Sequence, residues 1–381
     1  MSKPQQPVTA NAPYRILVSG GGTGGHIFPA LAIANELKRR YPDADIRFVG
    51  AADRMEMERV PDAGYPIQGL PVAGFDRRRL WRNFGVLLKL WRSSRMARRI
   101  VRDFHPDIAI GVGGYASGPT LKAAQQAGIP TLLQEQNSYA GVTNKLLAKG
   151  AKRICVAYDG MERFFPADKI VKTGNPVRKA LMGCTLTPEE ARVKLGFPAD
   201  EPLVVVVGGS LGARSVNNAV FAALDRIEAA GANILWQTGK IYIDEFRAKT
   251  AGRKRLRVEA FLPDMATVYR AATFVISRAG ASTISELQDL GVPAILIPSA
   301  NVAEDHQRKN ALALVQRDAA EMILDADATA QLADKAVALL ADPQRRDRYA
   351  ANVKAMALTR ADEKIADAAV ELIEANRRNN P

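Results

Sequence analysis

A chain of 381 residues that is 47% hydrophobic and 24% charged is long enough for two folded domains and is not a largely disordered protein. Its formal charge of +13 at pH 7 draws it toward polyanions, whether nucleic acid, an anionic bilayer or phosphorylated substrates, without choosing among them. No apolar run reaches the roughly 20 residues of a membrane span, residues 1–13 lack a signal-peptide core, and Cys155 and Cys184 lack metal or redox spacing, so a cytoplasmic protein with neutral thiols is expected.

Residues 1–13, rich in Ser, Pro, Gln and Asn, read as a disordered tail. Apolar strands then alternate with helical runs. They fall at 15–18, 46–49, 108–112, 131–133 and 153–156, and again at 203–207, 234–237, 273–276 and 294–297. This alternation predicts an α/β protein with parallel sheets and helices on both faces. The series restarts after Gly174-Asn175-Pro176, which predicts two Rossmann-like domains, 14–174 and 175–356, facing a central cleft. Two glycine-rich turns echo each other, one after the strand at 15–18 and one after the strand at 203–207, and a second echo pairs 110–118 with 276–283. Open parallel sheets bind ligands at the carboxyl ends of their strands, so all four turns are predicted to line the cleft. On pattern alone, the last helical stretch, 361–375, fits either half.

In the first turn Gly20, Gly22 and Gly25 satisfy G-x-G-x-x-G, with a helix predicted at 30–39. Asp53 stands about where the ribose-binding acid of a dinucleotide fold would, which keeps a nicotinamide dehydrogenase in play. Thr23 and His26 go beyond that fingerprint, and a histidine at a helix N-terminus is a candidate proton acceptor. No P-loop lysine follows, which argues against a nucleoside-triphosphate hydrolase. The second turn, Gly208 to Gly212 with Ser210, reads either as tight packing or as a diphosphate cradle at a helix dipole.

Ser282 and Ser285 fit helix capping, while Glu286 in a cleft could hold both ribose hydroxyls. The polar run at 134–137 places Glu135 at a strand end as an alternative base, although an ordinary carboxylate is weaker than imidazole at neutral pH. The D-x-D pairs Asp43/Asp45 and Asp325/Asp327 read as turns, so no metal is expected. Between Asp76 and Asp103 lie ten basic residues and no acid. Residues 94–104 read as a crossover helix. In 77–91, Arg77, Arg78, Arg79, Leu80, Trp81, Phe84, Leu88 and Trp91 suit an anionic membrane surface better than nucleic acid, for which no binding module is visible.

Six motifs, in order 21–26, 113–119, 135–137, 174–178, 208–213 and 281–286, closely resemble the MurG family, the GT-B enzymes of glycosyltransferase family 28. The likeness runs from about residue 14 to 310. It implies a GT-B fold whose C-terminal helix, about 357–381, crosses back to the first domain. It also implies inverting transfer of N-acetylglucosamine from UDP-N-acetylglucosamine to the C4 hydroxyl of lipid-linked N-acetylmuramyl-pentapeptide in peptidoglycan synthesis. The site would lie at the cytoplasmic face of the inner membrane, held peripherally, with other cell-wall or division proteins as partners, no cofactor and no nucleic acid. Carried over by position, His26 is the catalytic base. Thr23, Gly24, Gly25 and Asn137 approach the sugar, and Tyr115 and Glu135 lie on the acceptor side. Arg178 and Ser210 face the diphosphate, and Leu262 pairs its backbone with uracil. Ala281, Ser282, Thr283, Ile284, Ser285 and Glu286 wrap phosphate and ribose, and Gln307 reaches the glucosamine hydroxyls. The first turn then makes room for sugar and the acceptor's diphosphate. Gln134 stands where the family often has histidine, which leaves the basic role to His26.

Overall fold

The computed structural model describes residues 12–22, 24–72, 84–209 and 212–379, with the backbone alone at 84–87 and 303. Thr23, Ser210, Arg77, Arg78, Arg79, Leu80, Trp81 and most of the expected tail therefore lie outside the described residues. Among the described residues thirteen parallel strands form two sheets. The first runs β3-β2-β1-β4-β5-β6-β7, from β1 (Arg15–Ser19), β2 (Asp45–Ala51), β3 (Ile67–Leu70), β4 (Ile108–Gly111), β5 (Thr131–Glu135), β6 (Arg153–Val156) and β7 (Ile170–Lys172). The second runs β10-β9-β8-β11-β12-β13, from β8 (Leu203–Val207), β9 (Asn233–Gln237), β10 (Leu256–Glu259), β11 (Phe274–Ser277), β12 (Ala294–Leu296) and β13 (Glu321–Met322). Six strands of the first sheet thus repeat the order of the second.

Central strands such as Leu203-Val-Val-Val-Val207 are apolar throughout because helices cover both faces, and β1, β4 and β8 are almost wholly buried. Each fully buried Val, Leu or Ile is worth about 1.5–3 kcal/mol. The strand order reverses between β1 and β4, and again between β8 and β11. Those switch points are where a doubly wound sheet opens a crevice. In the first sheet the crevice is bounded by helix α1 (Gly24–Arg40) and by the loop that leads from β4 into the helix Ser117–Gln126.

The helix predicted at 30–39 starts six residues earlier, at Gly24, and His26 lies in its first turn, at the helix N-terminus as expected. The C-terminal helix Ala361–Asn379 buries Ile365, Ala366, Ala369 and Ile373 in the same core as Ile16, Ile33 and Leu37, so its apolar stripe belongs with the first sheet. The crossing is pinned by charge. Lys179 sends its ammonium to Glu36 of α1 at 2.7 Å and to Asp362 at 3.2 Å. Hydrogen bonds from Arg39, Lys179 and Arg40 hold the buried Glu36 carboxyl far below the usual carboxylate range, against the opposing effect of its burial.

Candidate active site

The first glycine turn is closed from within. Glu56, the first residue of α2 (Glu56–Asp62), is fully buried and turns its carboxylate into the loop. The Gly22 N–H donates to both oxygens at 3.0 Å, and the Ala51 N–H donates to Oε1 at 2.9 Å. Gly21, at φ +145°, leaves the room: a Cβ there would lie 2.1 Å from Oε1. Asp53, the expected ribose acid, is exposed instead. The acid that matters stands three residues later and faces the turn. The Gly22 N–H of this turn thus serves a carboxylate of the chain itself.

His26 is partly buried against the second glycine loop. A Cβ on Gly113, which has φ +91°, would lie 2.9 Å from Cδ2 of the imidazole and 3.0 Å from Nε2. Gly114, at φ +87°, packs on the Gly21 carbonyl, where a Cβ would stand 2.4 Å away. The two loops interlock, and the interlocking fixes the ring. Burial pushes the His26 imidazole down to about 4, with His306 of the second half adding to the depression. A hydrogen bond to the Gly21 backbone and the charge of Glu56 oppose it. At neutral pH the ring is therefore neutral and able to accept a proton.

Glu135 is not available as a base. It lies within β5, which runs two residues past the predicted end, and it is buried. Its carboxylate accepts from the Asn137 N–H and side-chain amide, the Gly141 N–H and the Asn144 amide, at 2.9–3.2 Å. These four donors make it a clamp on the loop that carries Asn137. Asn137 in turn accepts from the Asn310 amide across the cleft at 3.1 Å, and Asn310 takes the Ser138 N–H at 2.9 Å. Gln134 is fully buried and donates to Asn175 at 2.9 Å. Asn175 donates to the Gln136 carbonyl and to Ser285 Oγ, both at 3.0 Å, so one hinge amide ties the halves together. Tyr115 is exposed at the loop before the helix Ser117–Gln126, on the open side of the crevice.

In the second half the helix Ala281–Leu290 begins at Gly280 with no side-chain cap, so the capping reading of Ser282 and Ser285 does not hold. Ser285 is spent on Asn175, and Ser282 Oγ is buried with no hydrogen-bond partner. Ala281 and Ile284 pack into the core while Thr283 is partly exposed. Glu286 is buried. Its Oε1 takes Arg178 Nη2 at 2.8 Å and its Oε2 takes the Tyr269 hydroxyl at 3.0 Å. Burial raises the Glu286 carboxyl, which Arg178 resists, and it raises the Tyr269 phenol well above its usual range. Leu262 is buried with its side chain in the core of the second half, and the Gln307 amide oxygen accepts from the Ser299 N–H at 2.9 Å.

The long helix α3 (Phe84–Phe104) turns Ala97, Val101 and Phe104 inward, as expected of a crossover. Its outer face shows Leu88 at 53% and Trp91 at 59% exposure among exposed arginines, with the Arg95 guanidinium 5.8 Å from the Trp91 ring centre. Among the described residues no helix is long and apolar enough to cross a membrane. No three His, Cys, Asp or Glu side chains among them come together as a metal site.

Comparison with known proteins agrees with this layout. Residues 16–156 match the glycosyltransferase family 28 N-terminal domain, and residues 203–371 match the glycosyltransferase family 28 C-terminal domain. A Phocaeicola vulgatus protein named UDP-N-acetylglucosamine--N-acetylmuramyl-(pentapeptide) pyrophosphoryl-undecaprenol N-acetylglucosamine transferase is 56% identical over 96% of this chain and 98% of its own length. A Parabacteroides distasonis protein of the same name is 53% identical over 95% of this chain and 99% of its own. The crystal structure of Acinetobacter baumannii MurG superposes with a TM-score of 0.77 at 29% identity, covering 94% of this chain and all of that one.

Proposed function

The chain belongs to glycosyltransferase family 28, and from that membership we infer that it transfers N-acetylglucosamine from UDP-N-acetylglucosamine to the C4 hydroxyl of undecaprenyl-linked N-acetylmuramyl-pentapeptide. The observation that carries the mechanism is the His26 ring held against Gly113 in the crevice of the first sheet, where burial keeps it neutral at pH 7. In a single inverting displacement the C4 oxygen bonds to the anomeric carbon, the bond from that carbon to UDP breaks, and the hydroxyl proton passes to the imidazole. Arg178 and the open N-terminus of the helix Ala281–Leu290 oppose the charge that gathers on the departing diphosphate. Glu286 offers its carboxylate to the ribose. Transfer of labelled N-acetylglucosamine to the lipid-linked acceptor, read by mass spectrometry, tests this directly; melting raised by NAD and not by UDP-N-acetylglucosamine would replace it with a dehydrogenase. The Glu56 carboxylate in the first turn speaks against that rival, since it occupies the place of a dinucleotide's pyrophosphate.

Glu286 also orders its neighbours. Glu286→Ala strands the buried Tyr269 hydroxyl and frees Arg178, and the loss of a charged hydrogen bond costs about 1.5–3 kcal/mol. Calorimetry should therefore show UDP binding weakened by roughly 10- to 100-fold, and unchanged affinity would remove Glu286 from the donor site.

The outer face of α3 fits an anionic bilayer, with Trp91 at headgroup depth and Arg92, Arg95 and Arg98 on phosphates. Each basic residue near such a surface contributes about 1 kcal/mol. Trp91→Ala with Arg95→Ala should thus cut sedimentation with phosphatidylglycerol vesicles by about tenfold or more and leave turnover on a detergent-dispersed acceptor unchanged.

A further inference from the structure

Lys179 follows closely on the turn Gly174-Asn175-Pro176 that joins the two halves, and its side chain reaches back into the first. Its ammonium lies 2.7 Å from Glu36 Oε2 and 3.2 Å from Asp362 Oδ2, and both carboxylates are buried. The two acids stand on different helices of the first half, α1 and the C-terminal helix Ala361–Asn379. Arg39 and Arg40 share Glu36 from within α1, whereas Asp362 meets no cation other than Lys179 among the described residues. A nearly buried carboxylate with a single ionic partner depends on that partner.

Arg178, the preceding residue, serves the other half: its Nη2 donates to Glu286 Oε1 at 2.8 Å. One dipeptide therefore grips both halves. Its grip on α1 is also a grip on the base, because Glu36 and His26 lie on that one helix, about 15 Å apart along its axis. Two further bridges, from Asn175 to the Gln136 carbonyl and from Asn310 to the Ser138 N–H, end on the loop after β5. Lys179 ends on α1 itself.

We propose that Lys179 is a positioning residue of the transfer reaction, an ionic strut that sets α1, and with it His26, against the donor groups of the second half. The proposal rests on the transfer reading above for its kinetic consequence, but not for its structural one. Bridges gathered on one loop leave the halves free to rock about that loop. A strut anchored on two helices away from it removes the freedom, and the base then meets the anomeric carbon at one distance.

Lys179→Met keeps much of the side chain's length and removes its charge, while Lys179→Arg keeps the charge. In the full-length protein Lys179→Met should lower kcat about tenfold with UDP affinity, read by calorimetry, within about twofold of the wild type, and Lys179→Arg should recover roughly half of the lost rate or more. Turnover of Lys179→Met equal to the wild type overturns the proposal, and so does an equal loss of UDP affinity, which would make Lys179 part of donor binding. Asp362→Asn, placed on the other side of the contact, should show the same kinetic split. If the two charges act as one strut, the double variant is no slower than Lys179→Met alone; losses that multiply overturn it.

The structural readout needs no substrate. Nitroxide labels at Lys122→Cys and Lys254→Cys, exposed positions of the first and second halves, in a Cys184→Ser background, report the distance between the halves by double electron–electron resonance. The distance distribution should be narrow with Lys179 in place and clearly broader in Lys179→Met. An unchanged width overturns the strut. If the wild type transfers no sugar, the functional reading fails while the two widths still decide the case of Lys179.

Discussion

Replacing His26 with asparagine is expected to lower turnover by roughly 100- to 10,000-fold, the range that a positioned general base supplies, while UDP affinity stays within about twofold. The split follows from where the residue sits. On the proposed reading the donor meets Arg178, Glu286 and the helix Ala281–Leu290 of the second half, whereas His26 stands on α1 of the first. Rapid-quench measurement of transfer, with calorimetry of UDP on the same variant, separates the two effects. Lost UDP binding with normal turnover would remove His26 from the chemistry. The pH dependence gives an independent sign. An imidazole held down to about 4 is neutral and competent at pH 7, and it loses that competence as pH falls through its own midpoint. The acid limb of kcat/KM for the acceptor, which reports the free enzyme, should therefore lie near pH 4 rather than at the ordinary histidine value of about 6.5. In the kcat profile the bound nucleotide's negative charge moves that limb upward, because it favours the imidazolium.

How the fold could be read from the residues depended on burial. The nine strands predicted from apolar runs include every interior strand of both sheets, and the four that gave no such signal are the edges, β3, β7, β10 and β13. An edge strand is covered less and can be short or charged. Leu256-Arg-Val-Glu259 alternates, and Glu321-Met322 is two residues long. The glycine turns were legible because a strand, a sharp turn and a helix leave a local mark. Glu56 left none: it reaches Gly22 across 34 positions of sequence, and nothing around it in the chain distinguishes it from a surface glutamate at a helix start. Asp53, three residues before it, has the spacing after the second strand that a ribose-binding acid would have, so the pattern points there and not to Glu56. Glu135 failed as a base for a related reason. Its pattern showed polarity at a strand end, but whether a carboxylate faces substrate or its own loop depends on where Asn137, Gly141 and Asn144 direct their N–H groups.

That same dependence on a neighbour's backbone makes Gly113 as consequential as the histidine it touches. Gly113→Ala forces a non-glycine residue to φ +91°, at a cost of about 1–2 kcal/mol, and it sets a methyl group 2.9 Å from the His26 ring. The ring is the movable partner, so the strain is relieved by shifting the base. A displacement of about 1 Å in a reacting group can cost roughly 100-fold, and turnover should drop by about that amount while UDP affinity holds. Gly118→Ala is the matched control. It lies at the start of the next helix, where a Cβ meets Thr143 at an ordinary 3.7 Å, so stability should rise slightly and transfer should be unchanged. Steady-state kinetics on both variants, repeated in the His26→Asn background, decide the cause. If Gly113 acts through the histidine, its substitution costs almost nothing further once the imidazole is gone. An undiminished 100-fold loss in that background would show instead that Gly113 shapes the acceptor cleft directly.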